Sequence, residues 1–283
     1  MIFVKLTNGF GNNLFQYIAG RLLAEHHHKK LILIPPFKDY YALNDIEQLN
    51  LFYDDICYDI DGKKIIRIQD NEYLLAYNKQ MRNKDILLDG YFEDYTFYYD
   101  YIDQIKTWFK IPETKNNEDL VFHLRTGDRL FYKAHYDSKG NPLVGIDRIE
   151  NAINQFDYSK LYIVTDIPSW EETTINEMEN LKFHVKINPI YSIDIASAVN
   201  YHNALIKALN KYDPIIQNND ITSDFNFLLS FNMFLFQHST LAWWAAVIGG
   251  TKQVGVYGPW RSYKNERNKN LSHIPLPGWF QWE

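Results

Sequence analysis

The chain has almost no cysteine, no long apolar run, no excess of positive charge and no internal repeat. With Cys57 alone among 283 residues, an intramolecular disulfide is excluded, and no Cys/His spacing resembles a zinc site, so a reducing compartment is expected. No apolar stretch approaches the roughly 18 residues that span a bilayer. The sequence opens directly on the strand-like Ile2-Phe3-Val4-Lys5-Leu6, which leaves no place for a signal peptide; the expectation is a cytoplasmic protein without a membrane anchor of its own. A formal charge of −6 argues against nucleic acid as the main partner, because duplex binding needs a basic face.

What is present is the composition of a soluble globular protein, 46% hydrophobic and 23% charged, long enough for one large α/β domain or two of ordinary size. Aromatics reach 16%, which suits sugar stacking and large cores alike.

The most chemically loaded stretch is 120–129. Leu120 to Leu124 reads as a buried strand carrying His123, and Arg125, Gly127 and Asp128 then fall at its carboxyl end. Open α/β sheets bind ligands there, and the planar, permanently charged guanidinium of Arg125 suits a phosphate.

The chain before it begins as strand, glycine turn, helix, strand. Thr7 to Asn13 forms the turn, and Leu14, Ile18 and Leu22 mark one face of a helix that Asn13 would cap with Gln16 in support. Gly9-x-Gly11 lacks the third glycine of a dinucleotide fingerprint, and no P-loop Lys-Ser/Thr follows; on spacing alone it is a tight turn. His26-His27-His28 point in three directions at the helix end, which favours a role as charge near the helix C-terminus over a metal site. Residues 37–118 carry short apolar stretches such as 65–68 and 85–88. Asp59-x-Asp61 beside Gly62 reads as a turn. The polar connector 112–119 marks the expected domain boundary.

After the Arg125 turn, βα alternation is clear. A helix is expected over 146–157, a strand at Leu161–Val164 ending in Thr165-Asp166, and a helix from Pro168 that includes Trp170. A strand over 182–187 and a helix over 193–211 follow. Thr222 or Ser223 should cap a helix, Met233–Phe236 form a strand, Leu241–Ile248 a helix closed by Gly249-Gly250, and Val254–Tyr257 the last strand. Ser239 and Thr240 then stand at a helix N-terminus beyond a strand, either as a phosphate cradle or as a plain cap.

Gly9-Phe10-Gly11-Asn12-Asn13-Leu14-Phe15-Gln16-Tyr17, Leu88-Asp89-Gly90-Tyr91-Phe92, His123-Leu124-Arg125-Thr126-Gly127-Asp128, Val164-Thr165-Asp166 with Trp170, and Ser239-Thr240-Leu241-Ala242-Trp243-Trp244 occur together in one order. In that order, across about residues 2–260, the chain resembles the α-1,2-fucosyltransferases of glycosyltransferase family 11. It departs from their usual Asn-Gln at Asn12-Asn13 and from their Asn-Ser-Thr at His238-Ser239-Thr240.

The resemblance implies an α/β fold of GT-B type, two Rossmann-like domains facing across a cleft. Residues 1–118 would form the N-terminal acceptor-side domain and 119–283 the C-terminal nucleotide-sugar-binding domain. It implies GDP-fucose as donor and an oligosaccharide or glycan as acceptor, with any membrane contact made through a lipid-linked acceptor. Arg125 would bind the β-phosphate, Ser239 and Thr240 the diphosphate with His238 beside them, and Asp224 the guanine. His123 would line the nucleotide pocket, and Gly11, Asn12 and Asn13 would reach the sugar from the opposite domain. The reaction expected is inverting transfer of fucose, forming an α-1,2 linkage in the family's manner, with neither a metal nor another cofactor. Asp128, Glu93, Asp94 and His135 are the candidate general bases. A transferase using another nucleotide sugar, or a non-catalytic binding protein on the same scaffold, are the alternatives.

Overall fold

The computed structural model describes the chain apart from residues 8, 61, 63, 114, 133–143, 168, 185–192, 258–275, 277 and 283. It is a mixed α/β protein with two sheets of parallel strands.

The first sheet is built by β1 (Ile2–Lys5), β2 (Leu31–Ile34), β3 (Asp55–Ile56), β4 (Ile65–Ile68) and β5 (Asp85–Leu88), in the order β3-β2-β1-β5-β4. A strand turns successive side chains to opposite faces, and β1 is apolar on both. Ile2 and Val4 enter the main core, while Phe3 packs with Ile32 and Leu87 on the other side. Helix α1 (Phe10–His27) follows β1, and α2 (Tyr41–Gln48) and the short α3 (Ile102–Lys106) complete this half. Most of α1 is buried rather than one stripe of it, because the helix lies between its own sheet and a helix of the second half.

The second sheet contains β6 (Asn116–Leu124), β7 (Leu161–Thr165), β8 (Ile215–Gln217), β9 (Phe231–Phe236), β10 (Gln253–Tyr257) and β11 (Phe280–Trp282). Its order is β11-β10-β9-β6-β7-β8, with every pairing parallel. Numbered from β6, that is the 3-2-1-4-5-6 arrangement of a doubly wound, Rossmann-like sheet. Its helices are α4 (Ile146–Ile153), α5 (Ile175–His184), α6 (Ile195–Asn210), α7 (Ile221–Leu228) and α8 (Thr240–Gly249). Parallel strands need cover on both faces, which explains the apolar runs 120–122 in β6 and 233–236 in β9.

Helix α8 joins the halves. Nearly all of it is buried, and Phe15 of α1 sits with its ring centroid 5.1 Å from Trp243, 4.9 Å from Trp244 and 5.7 Å from Tyr98. One hydrophobic core therefore runs from β1 through α1 and α8 to β10.

Several sequence expectations change. Helix α1 starts after Gly9, four residues before Leu14, so Asn13 lies inside it and caps nothing. His27 is buried with Nε2 2.7 Å from the Ala76 carbonyl oxygen, and burial holds its pKa below the ordinary value; it ties the chain at Ala76 to α1 rather than supplying charge. Helix α5 begins at Ile175, after a reciprocal cap in which Glu177 accepts from the Thr174 N–H and Thr174 Oγ1 accepts from the Glu177 N–H. Pro168, its expected start, lies outside the described residues, as do 185–187 of the expected strand, while 182–184 end this helix. Asp220 caps α7, accepting from both Thr222 and Ser223 N–H groups. Strand β6 begins at Asn116, so the polar connector ends in the strand.

Replacing Phe15 by Ala is expected to cost about 3–5 kcal/mol, the scale of emptying a core aromatic site. Because the core is continuous, urea unfolding followed by tryptophan fluorescence and by far-UV circular dichroism should give one coincident transition. Two separated transitions, or a loss below about 1 kcal/mol for Phe15→Ala, would contradict the shared core.

Candidate functional site

Each sheet reverses its winding beside its first strand. In the first, β1 lies between β2 and β5; in the second, β6 lies between β7 and β9. Ligands of open α/β sheets bind outside the carboxyl ends of strands at such points. Here residues following β1 and β5 and residues following β6 and β9 line one cleft of about 840 Å³.

Two helix N-termini meet in it. Gly9 precedes α1 and Ser239 precedes α8; Gly9, Gly11, Ser239, Thr240 and Leu241 all line the cleft. A Cβ on Gly11 would collide with Thr240 Oγ1 and the Leu241 backbone nitrogen, so only glycine permits this approach. Thr240 Oγ1 donates to Asn12 Oδ1 at 2.8 Å across the junction. Gly9 gives α1 no side-chain cap, whereas Ser239 Oγ accepts from the Ala242 N–H at 3.3 Å. Converging positive helix ends favour an anion.

Asn13 does not join Asn12 there. It is fully buried, donates to the Gly9 carbonyl oxygen and the Tyr40 hydroxyl, and accepts from the Thr7 N–H. Gln16 also accepts from that N–H and donates to the Gly90 carbonyl oxygen, so both amides shape the loops after β1 and β5. Both lie buried on successive turns of α1.

Arg125 stands one third exposed at the end of β6. Its Nη1 is 2.7 Å from Asp128 Oδ1 and also contacts Asp166 Oδ2. Arg129 lines the cleft and donates to the His238 carbonyl oxygen. His123 is buried at the cleft wall, and its Nδ1 has no hydrogen-bond partner among the described residues. Burial, with Arg125 and Arg129 nearby, pushes its pKa down to about 3, so the ring is neutral at pH 7.

Asp224, on the first turn of α7, is 8% exposed and accepts from the backbone and side chain of Asn219. Burial raises its pKa above the usual carboxylate value. The His238 ring packs 5.2 Å from Tyr257 and lines the cleft.

The cleft thus gathers Gly11, Asn12, His123, Arg125, Asp128, Asp224, His238, Ser239 and Thr240 from the expected set. Glu93 lines it from the first half; Asp94 instead accepts from the Thr96 N–H as a local cap. Asp61 and His135 lie outside the described residues, and Asp59 accepts Cys57 Sγ at its carbonyl away from the cleft. Sequence reading left Asp166 and Arg129 unassigned. The position of Asp166 after a strand was visible, but its contact with Arg125 depends on the pairing of β6 with β7. Among the described residues no group of three or more His, Cys, Asp or Glu side chains is placed to hold a metal, and no helix is long and apolar enough to cross a membrane.

No family model matches the chain, and no curated protein matches it.

The buried neutral histidine sets a pH dependence. The unfolded chain takes up a proton at His123 below about pH 6.5, whereas the folded chain does not until about pH 3. Stability should therefore fall as pH drops through that window, with a limiting slope from this group of about 1.4 kcal/mol per pH unit. His123→Gln should flatten the dependence when urea unfolding is compared at pH 7 and pH 5. Parallel pH profiles for the two proteins would contradict a neutral His123.

Proposed function

We propose that the chain is a GT-B glycosyltransferase, related to the α-1,2-fucosyltransferases, that transfers L-fucose from GDP-fucose to a hydroxyl of a glycan acceptor in the cytoplasm. The observation that carries this reading is Arg125 at the winding reversal of a Rossmann-ordered sheet, beside two helix N-termini. In this reading 119–283 hold the nucleotide and 1–118 present the acceptor.

The acceptor oxygen attacks the anomeric carbon of fucose from the face opposite GDP, the bond from that carbon to the β-phosphate oxygen breaks, and configuration inverts. Negative charge grows on the departing β-phosphate. A fixed guanidinium and the positive end of α8, with Ser239 and Thr240, stabilise that charge more in the transition state than in the bound donor. These groups supply the role a divalent cation fills elsewhere, so transfer is metal-independent. Asp224 accepts hydrogen bonds from the guanine N–H edge in place of Asn219. Neutral His123 presents Nδ1 to the nucleotide without adding charge. The acceptor proton passes to a carboxylate. Glu93 comes from the acceptor-side loop, whereas Asp128 already faces Arg125, which makes Glu93 the better candidate base.

GDP should raise the melting temperature and UDP should not; the reverse order would indicate another nucleotide sugar. Arg125→Ala is expected to lower fucosyl transfer from GDP-fucose by about 10²–10³-fold, and EDTA should leave wild-type turnover unchanged. Near-normal turnover in Arg125→Ala, or loss in EDTA restored by Mn²⁺, would defeat this mechanism, and GDP binding without transfer or donor hydrolysis would leave a binding protein.

A further inference from the structure

Two carboxylates face the same nitrogen of Arg125, and they are held very differently. Asp166 Oδ1 accepts from the Thr126 N–H at 3.0 Å and from the Gly127 N–H at 2.8 Å, while its Oδ2 meets the guanidinium. A Cβ on Gly127 would lie 2.5 Å from that Oδ2, so the glycine leaves room for the carboxylate to lie against the turn. The neighbouring residue reinforces the arrangement: Thr165 Oγ1 donates to the Leu124 carbonyl oxygen at 3.0 Å and accepts from the Ile167 N–H at 3.2 Å. The ends of β6 and β7 are thereby fastened together. Asp128 approaches Nη1 at 2.7 Å from the turn itself, and among the described residues its carboxylate makes no further hydrogen bond.

We propose that Asp166 is the positioning residue of the cleft and Asp128 an exchangeable counter-charge: an arriving phosphate displaces Asp128 from Arg125 and leaves Asp166 in place. This rests on the phosphate reading of the site. The reason is local. Removing Asp166 from Arg125 breaks a carboxylate anchored by two backbone N–H groups, and charge-assisted bonds of that kind are the strong ones. Removing Asp128 gives up one ion pair that no backbone N–H among the described residues reinforces, and the phosphate replaces its charge. Asp166 therefore holds the guanidinium at the cleft mouth before and after binding, whereas Asp128 balances its charge only while the site is empty.

The two neutral isosteres separate this from simple electrostatics, because each removes one negative charge from the same arginine. In calorimetric titration with inorganic pyrophosphate, Asp166→Asn should weaken binding about tenfold and Asp128→Asn should tighten it about threefold. Tightening by both substitutions would make the carboxylates interchangeable competing charges and overturn the proposal. Weakening by both would make Asp128 a second anchor and also overturn it. A double-mutant cycle in urea reads the clamp without any ligand: Arg125→Gln with Asp166→Asn should be strongly non-additive, and Arg125→Gln with Asp128→Asn nearly additive. Additive costs for the Asp166 pair overturn the positioning role. If the wild-type protein binds neither pyrophosphate nor GDP, the phosphate reading fails, and the cycle still decides whether Asp166 holds Arg125.

Discussion

The contact on which the molecule depends is the approach of the first turn of α1 to the first turn of α8 at Gly11 and Thr240. It unites two sheets that have no strand in common, and it does so at the carboxyl ends of both. Below it, Phe15, Tyr98, Trp243 and Trp244 fill the space between the halves with aromatic side chains. Above it, the same two helix ends open into the cleft. A larger residue at position 11 would separate the helices, loosening the core and displacing one wall of the site together.

The electrostatics of the cleft are confined rather than diffuse. Among the described residues lining the cleft, Arg125 and Arg129 bring positive charge, while Glu93, Asp128, Asp166 and Asp224 bring negative charge, so these side chains set up no net positive field. Recognition must then come from fixed geometry: a guanidinium held at a strand end, helix N-termini, and buried groups such as His123 kept uncharged. That division fits a chain whose formal charge is −6.

Much of this architecture was legible in the amino-acid order. Apolar runs bounded by turn residues located β1, β2, β6, β7, β9 and β10, because buried parallel strands carry continuous hydrophobicity. The short β8 and β11 escaped, being the two edge strands of the second sheet, whose pattern is too brief to register. Helix α5 starts after the Thr174-x-x-Glu177 capping signal rather than at Pro168 or Trp170, because the reciprocal Thr174–Glu177 bonds satisfy its first N–H groups. At the site, residues that follow a strand directly, such as Arg125 and Ser239, could be found from order alone. Asn13 could not be separated from Asn12, since one helical step decides which faces the cleft and which is buried under Tyr40. Asp166 acquires its meaning only when β6 and β7 lie side by side with Leu124 paired to Thr165.

The resting place of a nucleotide diphosphate decides the role of Arg125. A crystal structure of the chain soaked with GDP measures this directly. The β-phosphate should lie within hydrogen-bond distance of Arg125 and of the first turn of α8, with guanine beside Asp224. GDP bound elsewhere, or with its phosphates turned away from Arg125, would contradict it.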